Sequence, residues 1–196
     1  MYNVQVESAL IDETSAIAAA VNGDAASFGV LVERHEQAAF RAAWLILRDQ
    51  QAAEDAAQEG FVKAYRELGR FRQDMPFRPW LLRIVQNTAL NEVRARKRRG
   101  GLLERVGAIT SRNEPPPDDA VAAADESSRV LQAIAELNAD DQRILHLRYF
   151  LELPEREIAA AIDAPAGTVK SRLHRASKRL RNVIEHRYPD LRERDR

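Results

Sequence analysis

The strongest constraint in this sequence is an apolar stripe at three- and four-residue steps, repeated along the chain and broken once by three consecutive prolines. Phe28, Leu31, Val32, His35, Ala39, Ala42, Ala43 and Ile46 line one side of a helix. No convincing alternating run of β-branched residues marks a strand. Ala, Leu, Arg and Glu, the best helix formers, are abundant. Such a chain folds by packing helices on helices. Pro115-Pro116-Pro117 cannot continue a helix and favours an extended spacer. The predicted fold class is therefore all-α, with two small helical domains joined by a flexible linker. The expected divisions are an N-terminal extension over 1–23, a first domain over 24–99, a linker over 100–128, a second domain over 129–186 and a charged tail over 187–196.

Within the first domain, Asp49 can cap a second helix that buries Ala57, Phe61, Ala64, Tyr65 and Leu68. A break at 69–77 holds Gly69 and Pro76. Pro79 suits the first turn of a third helix, expected to run to about Arg99 and to end at Gly100-Gly101. In the second domain, Val130, Leu131, Ile134 and Leu137 form a short stripe, and Ile144, Leu147 and Leu151 mark another helix. Pro154 opens a short helix to Ile162, Asp163-Ala164-Pro165 make a turn, and a last helix runs from about Ala166 to Glu185.

The 196 residues carry 30 basic and 30 acidic side chains, so the formal charge is zero. That balance is a cancellation. Residues 1–23 are net −3, 24–99 net +4, 100–128 net −4 and 129–196 net +3. Arg94, Arg96, Lys97, Arg98 and Arg99 form one basic run, and Lys170, Arg172, Arg175, Lys178, Arg179 and Arg181 form another. A chain with no Cys has no disulfides, thiolate metal sites or cysteine nucleophiles, which fits a reducing cytoplasm. His35, His146, His174 and His186 are scattered without metal-ligand spacing, and no phosphate loop is present. No catalytic residue, metal, cofactor or small-molecule substrate is expected, and the chain does not read as an enzyme. No segment approaches the roughly 18 consecutive apolar residues of a membrane span, so no membrane insertion is expected.

Two helices present polar stripes of the kind that read nucleic acid. In the last helix, Val169, Leu173, Ala176, Leu180 and Val183 share one arc, while Thr168, Ser171, Arg172, Arg175 and Arg179 share another. A short helix, a tight turn and this helix make a helix-turn-helix whose second helix can enter a major groove. The alternative is an exposed basic helix in a bundle. In the third helix, Arg83, Asn87, Asn91, Arg94 and Arg98 lie on one side and Leu81, Ile84, Val85 and Thr88 on the other. Asn can read adenine edges and Arg can hold phosphates. Phe71, flanked by Arg70 and Arg72, is the better candidate to stack on an unpaired base, and Trp80 reads as core. The second helix is acidic and polar along Asp49, Glu54, Asp55, Gln58 and Glu59, a face for a basic protein partner or for water.

Together these segments resemble the extracytoplasmic-function group of bacterial sigma factors, in the sigma-70 family. AEDAAQEGFVKAYREL (53–68) and FRPWLLRIVQNTALNEVRARKRR (77–99) are similar to that family's region 2. DDQRILHLRYFLELPEREIAAAI (140–162) and GTVKSRLHRASKRLR (167–181) are similar to its region 4. The resemblance implies a promoter-specificity subunit controlled by an anti-sigma factor. It implies that Asp49, Glu54, Asp55, Gln58 and Glu59 dock on the β′ clamp helices of core RNA polymerase, whose β flap is the further contact. It implies that the segment Phe71 to Phe77, with Arg72, captures a flipped base of the −10 element. Arg83, Asn87, Asn91, Arg94 and Arg98 would contact that element and its upstream edge. Thr168, Lys170, Ser171, Arg172, Arg175 and Arg179 would contact the −35 element, with Lys170 on phosphate. The acidic linker would thread through the polymerase toward the RNA exit path.

Three positions depart from the family pattern: Glu155 stands where an aromatic is common, Ala164 where a larger aliphatic is usual, and Asn91 where Asp is common. The alternative function is a stand-alone helix-turn-helix regulator, which leaves the 53–68 segment unexplained. The acidic 1–23 and 100–128 segments are expected to weaken free DNA binding, so that deleting 1–23 raises it.

Overall fold

The computed structural model describes residues 12–72, 75–103 and 121–191. Among them eight α-helices follow one another: α1 Glu13–Val21, α2 Ala25–Leu47, α3 Gln50–Glu67, α4 Phe77–Leu103, α5 Val121–Ala135, α6 Ala139–Leu145, α7 Glu155–Ala161 and α8 Ala166–Arg187. A 3-10 turn, Leu68–Arg70, follows α3, and a π turn, His146–Phe150, follows α6. Among the described residues, no helix is long and apolar enough to cross a membrane.

Local chemistry sets these boundaries. Asp24 caps α2 by accepting from the Ala26 N–H at 3.0 Å. Arg48 ends α2 in the left-handed region at φ 54°, and Asp49 caps α3 through the Ala52 N–H at 2.8 Å. The tight joint folds α3 back along α2, so Phe28 near the start of α2 meets Tyr65 near the end of α3 at 4.9 Å. Asn138 caps α6 by accepting from the Asp141 N–H at 3.0 Å. Pro154 and Pro165 stand at the N-caps of α7 and α8.

α1 to α4 form the first half and α5 to α8 the second. Leu31, Ala39, Leu81, Leu82 and Val85 are fully buried in the first, and Leu145, Leu147, Leu153, Ile158 and Val169 in the second. α3 and α4 approach closely at Gly60, where an added Cβ would sit 2.6 Å from Val85 Cγ2. The buried apolar side chains of the two halves run together into one cluster, because α7 packs on α4 and the π turn packs on α2.

Three expectations change. The expected N-terminal extension includes α1, whose Ala16, Ile17 and Ala20 are buried against α2, so deleting 1–23 would strip core rather than only charge. α4 passes through Gly100-Gly101 to Leu103, because glycine ends a helix only where it adopts a left-handed conformation. The expected linker is therefore helical at both ends, over 100–103 and from Val121. Its proline-rich centre, residues 1–11 and the last five residues of the tail lie outside the described residues. Tyr65, expected to be buried, is 42% exposed.

Candidate nucleic-acid and polymerase interfaces

α8 is held by its apolar side. Val169, Leu173 and Ala176 are buried against α6 and α7, which turns Lys170, Ser171, Arg172 and Arg175 to the surface. Thr168 Oγ1 donates to the Pro165 carbonyl at 2.7 Å and Ser171 Oγ to the Thr168 carbonyl at 3.0 Å, so both hydroxyls tighten the first turn. Arg175 Nε donates to the Ser171 carbonyl at 3.3 Å. Arg179, expected to contact the −35 element, also has a partner within the protein. Both arms of its guanidinium grip Asp141 on α6, with Nη2 donating to Oδ1 at 2.7 Å. About half of the Arg179 side chain stays exposed, and the pair ties α8 to α6.

α4 presents the second stripe. Asn87, Asn91, Arg94 and Arg98 are exposed and Arg83 is partly so, while Leu81, Leu82, Val85 and Ala89 bury the other side. The start of this stripe touches the second half of the chain. Arg83 Nη2 pairs with Asp163 at 3.2 Å, and Arg143 Nη2 donates to Asn87 Oδ1 at 2.7 Å. Arg78 Nη2 donates to the Leu151 carbonyl at 3.2 Å. Arg143 gathers near Arg83 and Arg94. Its proton affinity is lowered first by burial and then by those two cations, with Asp140 opposing. No pattern within a single helix revealed these pairings, because their partners lie 56 to 80 residues apart.

The aromatic residues beside this stripe pack on one another. Phe71 and Phe77, expected in a base-capturing loop, are buried at 7% and 0% exposure, while Trp80, expected as core, packs against the core and stays partly exposed. Phe71 lies edge-on to Phe77 at 5.7 Å and against Trp80 at 4.9 Å. Phe71 turns inward onto the Phe77 and Trp80 rings. Its neighbours Arg70 and Arg72 stay at the surface. Arg70, Arg72, Met75, Trp80, Arg83 and Arg156 line a cleft of about 600 Å³ between the base of α4 and the turn before α8.

On α3, Asp55, Gln58 and Glu59 are exposed and Glu54 is partly so. Gln50 and Gln51 donate to Glu54 and Asp55 at 3.0 and 3.1 Å, and Lys63 pairs with Glu59 at 2.7 Å. The Asp49 side chain is engaged as the helix cap. Val62, 47% exposed, falls between Gln58 and Glu59 on the helical wheel, so the acidic face has an apolar centre. The sequence signal for it was available: Val62 interrupts the polar arc at helical spacing.

The family models for Sigma-70 region 2 and Sigma-70 region 4 match residues 31–99 and 127–180. The RNA polymerase sigma-H factor of Pseudomonas aeruginosa is 35% identical over 179 residues, covering 87% of this chain and 91% of the relative. The ECF RNA polymerase sigma-E factor of Escherichia coli K12 is 34% identical over 174 residues, covering 83% and 89%. CnrH, solved in complex with the cytosolic domain of CnrY, superposes with a TM-score of 0.64 at 26% identity, covering 89% of this chain and 98% of that one. The sigma factor RpoE of Bartonella quintana, solved with the anti-sigma factor NepR, shares the fold at a TM-score of 0.62 and 22% identity, over 82% and 98%. Sequence, fold and region order agree: the chain belongs to the extracytoplasmic-function group of the sigma-70 family and is an RNA polymerase sigma factor.

Proposed function

We propose that this sigma factor binds core RNA polymerase through α3, with Asp55, Gln58 and Glu59 around Val62 meeting a basic helical surface and Asp49 and Glu54 at its edge. Its second half reads the −35 duplex with Lys170, Ser171, Arg172 and Arg175 on α8. Its first half holds the −10 element along Arg83, Asn87, Asn91, Arg94 and Arg98, with Arg72 and Trp80 at the lip of the cleft. Opening of the promoter follows from capture of unstacked bases, which offsets a cost of about a few kcal/mol per step. The protein works as a non-enzymatic subunit in the cytoplasm, and an anti-sigma factor restrains it. The neighbours solved with CnrY and NepR support that restraint.

The observation that supports this reading is that two polar stripes lie on two helical halves, with Arg83 and Asn87 of one bonded to Asp163 and Arg143 of the other at 3.2 and 2.7 Å. Those two bonds compete with DNA for Arg83 and Asn87, so the halves part at this point when DNA takes the whole stripe. Tethering both readers to one large partner then supplies the affinity that each modest basic patch lacks alone. The test is a gel shift on promoter DNA with and without core polymerase. A specific, salt-resistant shift that needs polymerase is expected. Equal shifts without polymerase would favour the stand-alone helix-turn-helix regulator.

A further inference from the structure

The N-terminal helix α1 has no role in the reading above, yet it is built into the first half at two points. It packs on α2 with Ala16, Ile17 and Ala20 buried, and it contacts the Leu68–Arg70 turn that leads directly into Phe71. Its first residue, Glu13, reaches a buried histidine. Glu13 Oε2 lies 3.1 Å from His35 Nε2 and 3.6 Å from Arg34. A carboxylate only accepts, so Nε2 carries the proton of this bond and the ring orientation is fixed. His35 is 6% exposed, and its other neighbour is Phe77, with ring centroids 5.4 Å apart. Phe77 in turn meets Phe71 at 5.7 Å and Trp80 at 5.6 Å. α1 therefore braces both ends of the same segment, the Phe71 end through the Leu68–Arg70 turn and the Phe77 end through His35.

We propose that Glu13 is a positioning residue for strand capture: through His35 it fixes Phe77, and with it the Phe71–Trp80 pair at the lip of the basic cleft. The proposal rests on the reading that Trp80, Arg72 and Arg83 meet the −10 strand. Ring stacking tolerates little displacement, since aromatic pairs depend on offset and edge geometry. A side chain that sets the ring behind Trp80 therefore sets how well Trp80 meets a base. The polar contacts of Glu13 run to His35 and Arg34 on α2, so the effect is expected at the −10 strand and not at the acidic face of α3 or the reading face of α8.

The experiment uses full-length chain assembled with core polymerase. It measures affinity for core, for a −35 duplex probe, and for a single-stranded −10 oligonucleotide. Glu13→Ala is expected to bind core and the −35 probe as the parent does and the −10 oligonucleotide about five- to tenfold more weakly. Glu13→Gln keeps an acceptor for Nε2 and is expected to restore most of that loss. His35→Gln keeps a donor for Glu13 but removes the ring on Phe77, and serves as the second variant if Glu13→Ala folds poorly. It is expected to show the same selective loss. Unchanged −10 binding in these variants, while Trp80→Ala weakens it, overturns the brace and leaves the strand-capture reading standing. Equal losses for core and −10 strand also overturn it, because they mark general loosening. Unchanged −10 binding in Trp80→Ala overturns the strand-capture reading and the brace with it.

Discussion

Replacing His146 with Leu should remove much of the acid sensitivity of the second half. His146 is 2% exposed in the π turn, with its ring edge-on to Phe150 at 5.8 Å and neither ring nitrogen hydrogen-bonded. Burial first, and then the charge of Arg48, push its pKa from 6.5 down to about 4. Arg48 belongs to the first half and sits 4.2 Å over the Trp44 ring, so protonating His146 would set two cations against each other across the junction. The unfolded chain takes up a proton near pH 6.5, while the folded chain resists until about pH 4. The stability due to neutral His146 is thus complete above pH 6.5 and is lost as pH falls toward 4. Linkage over that window puts the loss at about 2 kcal/mol by pH 5, with a limit near about 3 kcal/mol in stronger acid. The assay is amide hydrogen exchange in α6 and α8, corrected for intrinsic rates, at about pH 7.5 and about pH 5. Leu is close to His in volume, and any packing penalty cancels in the comparison between pH values. His35 also has a lowered pKa from burial, but it lies in the first half and is common to both chains. The parent should lose about 2 kcal/mol more protection than the variant. Equal losses in the two chains would refute the reasoning.

Three further outcomes follow from the packing. Gly60→Ala drives a Cβ to 2.6 Å from Val85 Cγ2 on a stiff, fully buried side chain, so overpacking of about 1–3 kcal/mol should outweigh a helix-propensity gain of about 1 kcal/mol. Calorimetry should show a lower midpoint, and a higher one would mean that α3 and α4 separate freely. Asp141→Asn weakens the grip on Arg179, so melting should begin earlier in the second half and −35 probe affinity should fall even though Asp141 itself is buried. An unchanged −35 affinity would place Arg179 outside the support of the reading helix. Asp163→Ala releases Arg83 from an exposed pair and should raise affinity of the free chain for the −10 oligonucleotide by about two- to fivefold, an effect that fades in high salt. Weaker binding would show that Asp163 does not compete with DNA.

Local structure was legible because it depends on neighbours in sequence. Asp49 as a helix cap, Pro154 as a helix opener, the turn at Asp163-Ala164-Pro165, and the apolar arc through Val169, Leu173 and Ala176 all follow from spacing and side-chain chemistry. A helical wheel gives the face of a residue but not what covers that face. Phe71 sits between two arginines and looks exposed, yet it is buried against the Phe77 and Trp80 rings. Arg179 shares an arc with Arg172 and Arg175, yet it pairs with Asp141 on α6. Glu13 looked like part of an acidic tail because its partner, His35, stands 22 residues on. Gly100-Gly101 looked like a stop signal, but glycine permits a left-handed turn without requiring one. The contacts of Arg83 and Asn87 with the second half depend on how two domains meet, which no single-helix pattern encodes.

The most direct test of the central claim is run-off transcription with purified chain and core RNA polymerase on genomic fragments. The account predicts promoter-specific transcripts that need both components. Asp55→Ala with Gln58→Ala should abolish them by loss of core binding, and Arg172→Ala with Arg175→Ala by loss of −35 recognition. Folded protein that yields no promoter-dependent transcript, or double variants that transcribe as the parent does, would contradict it.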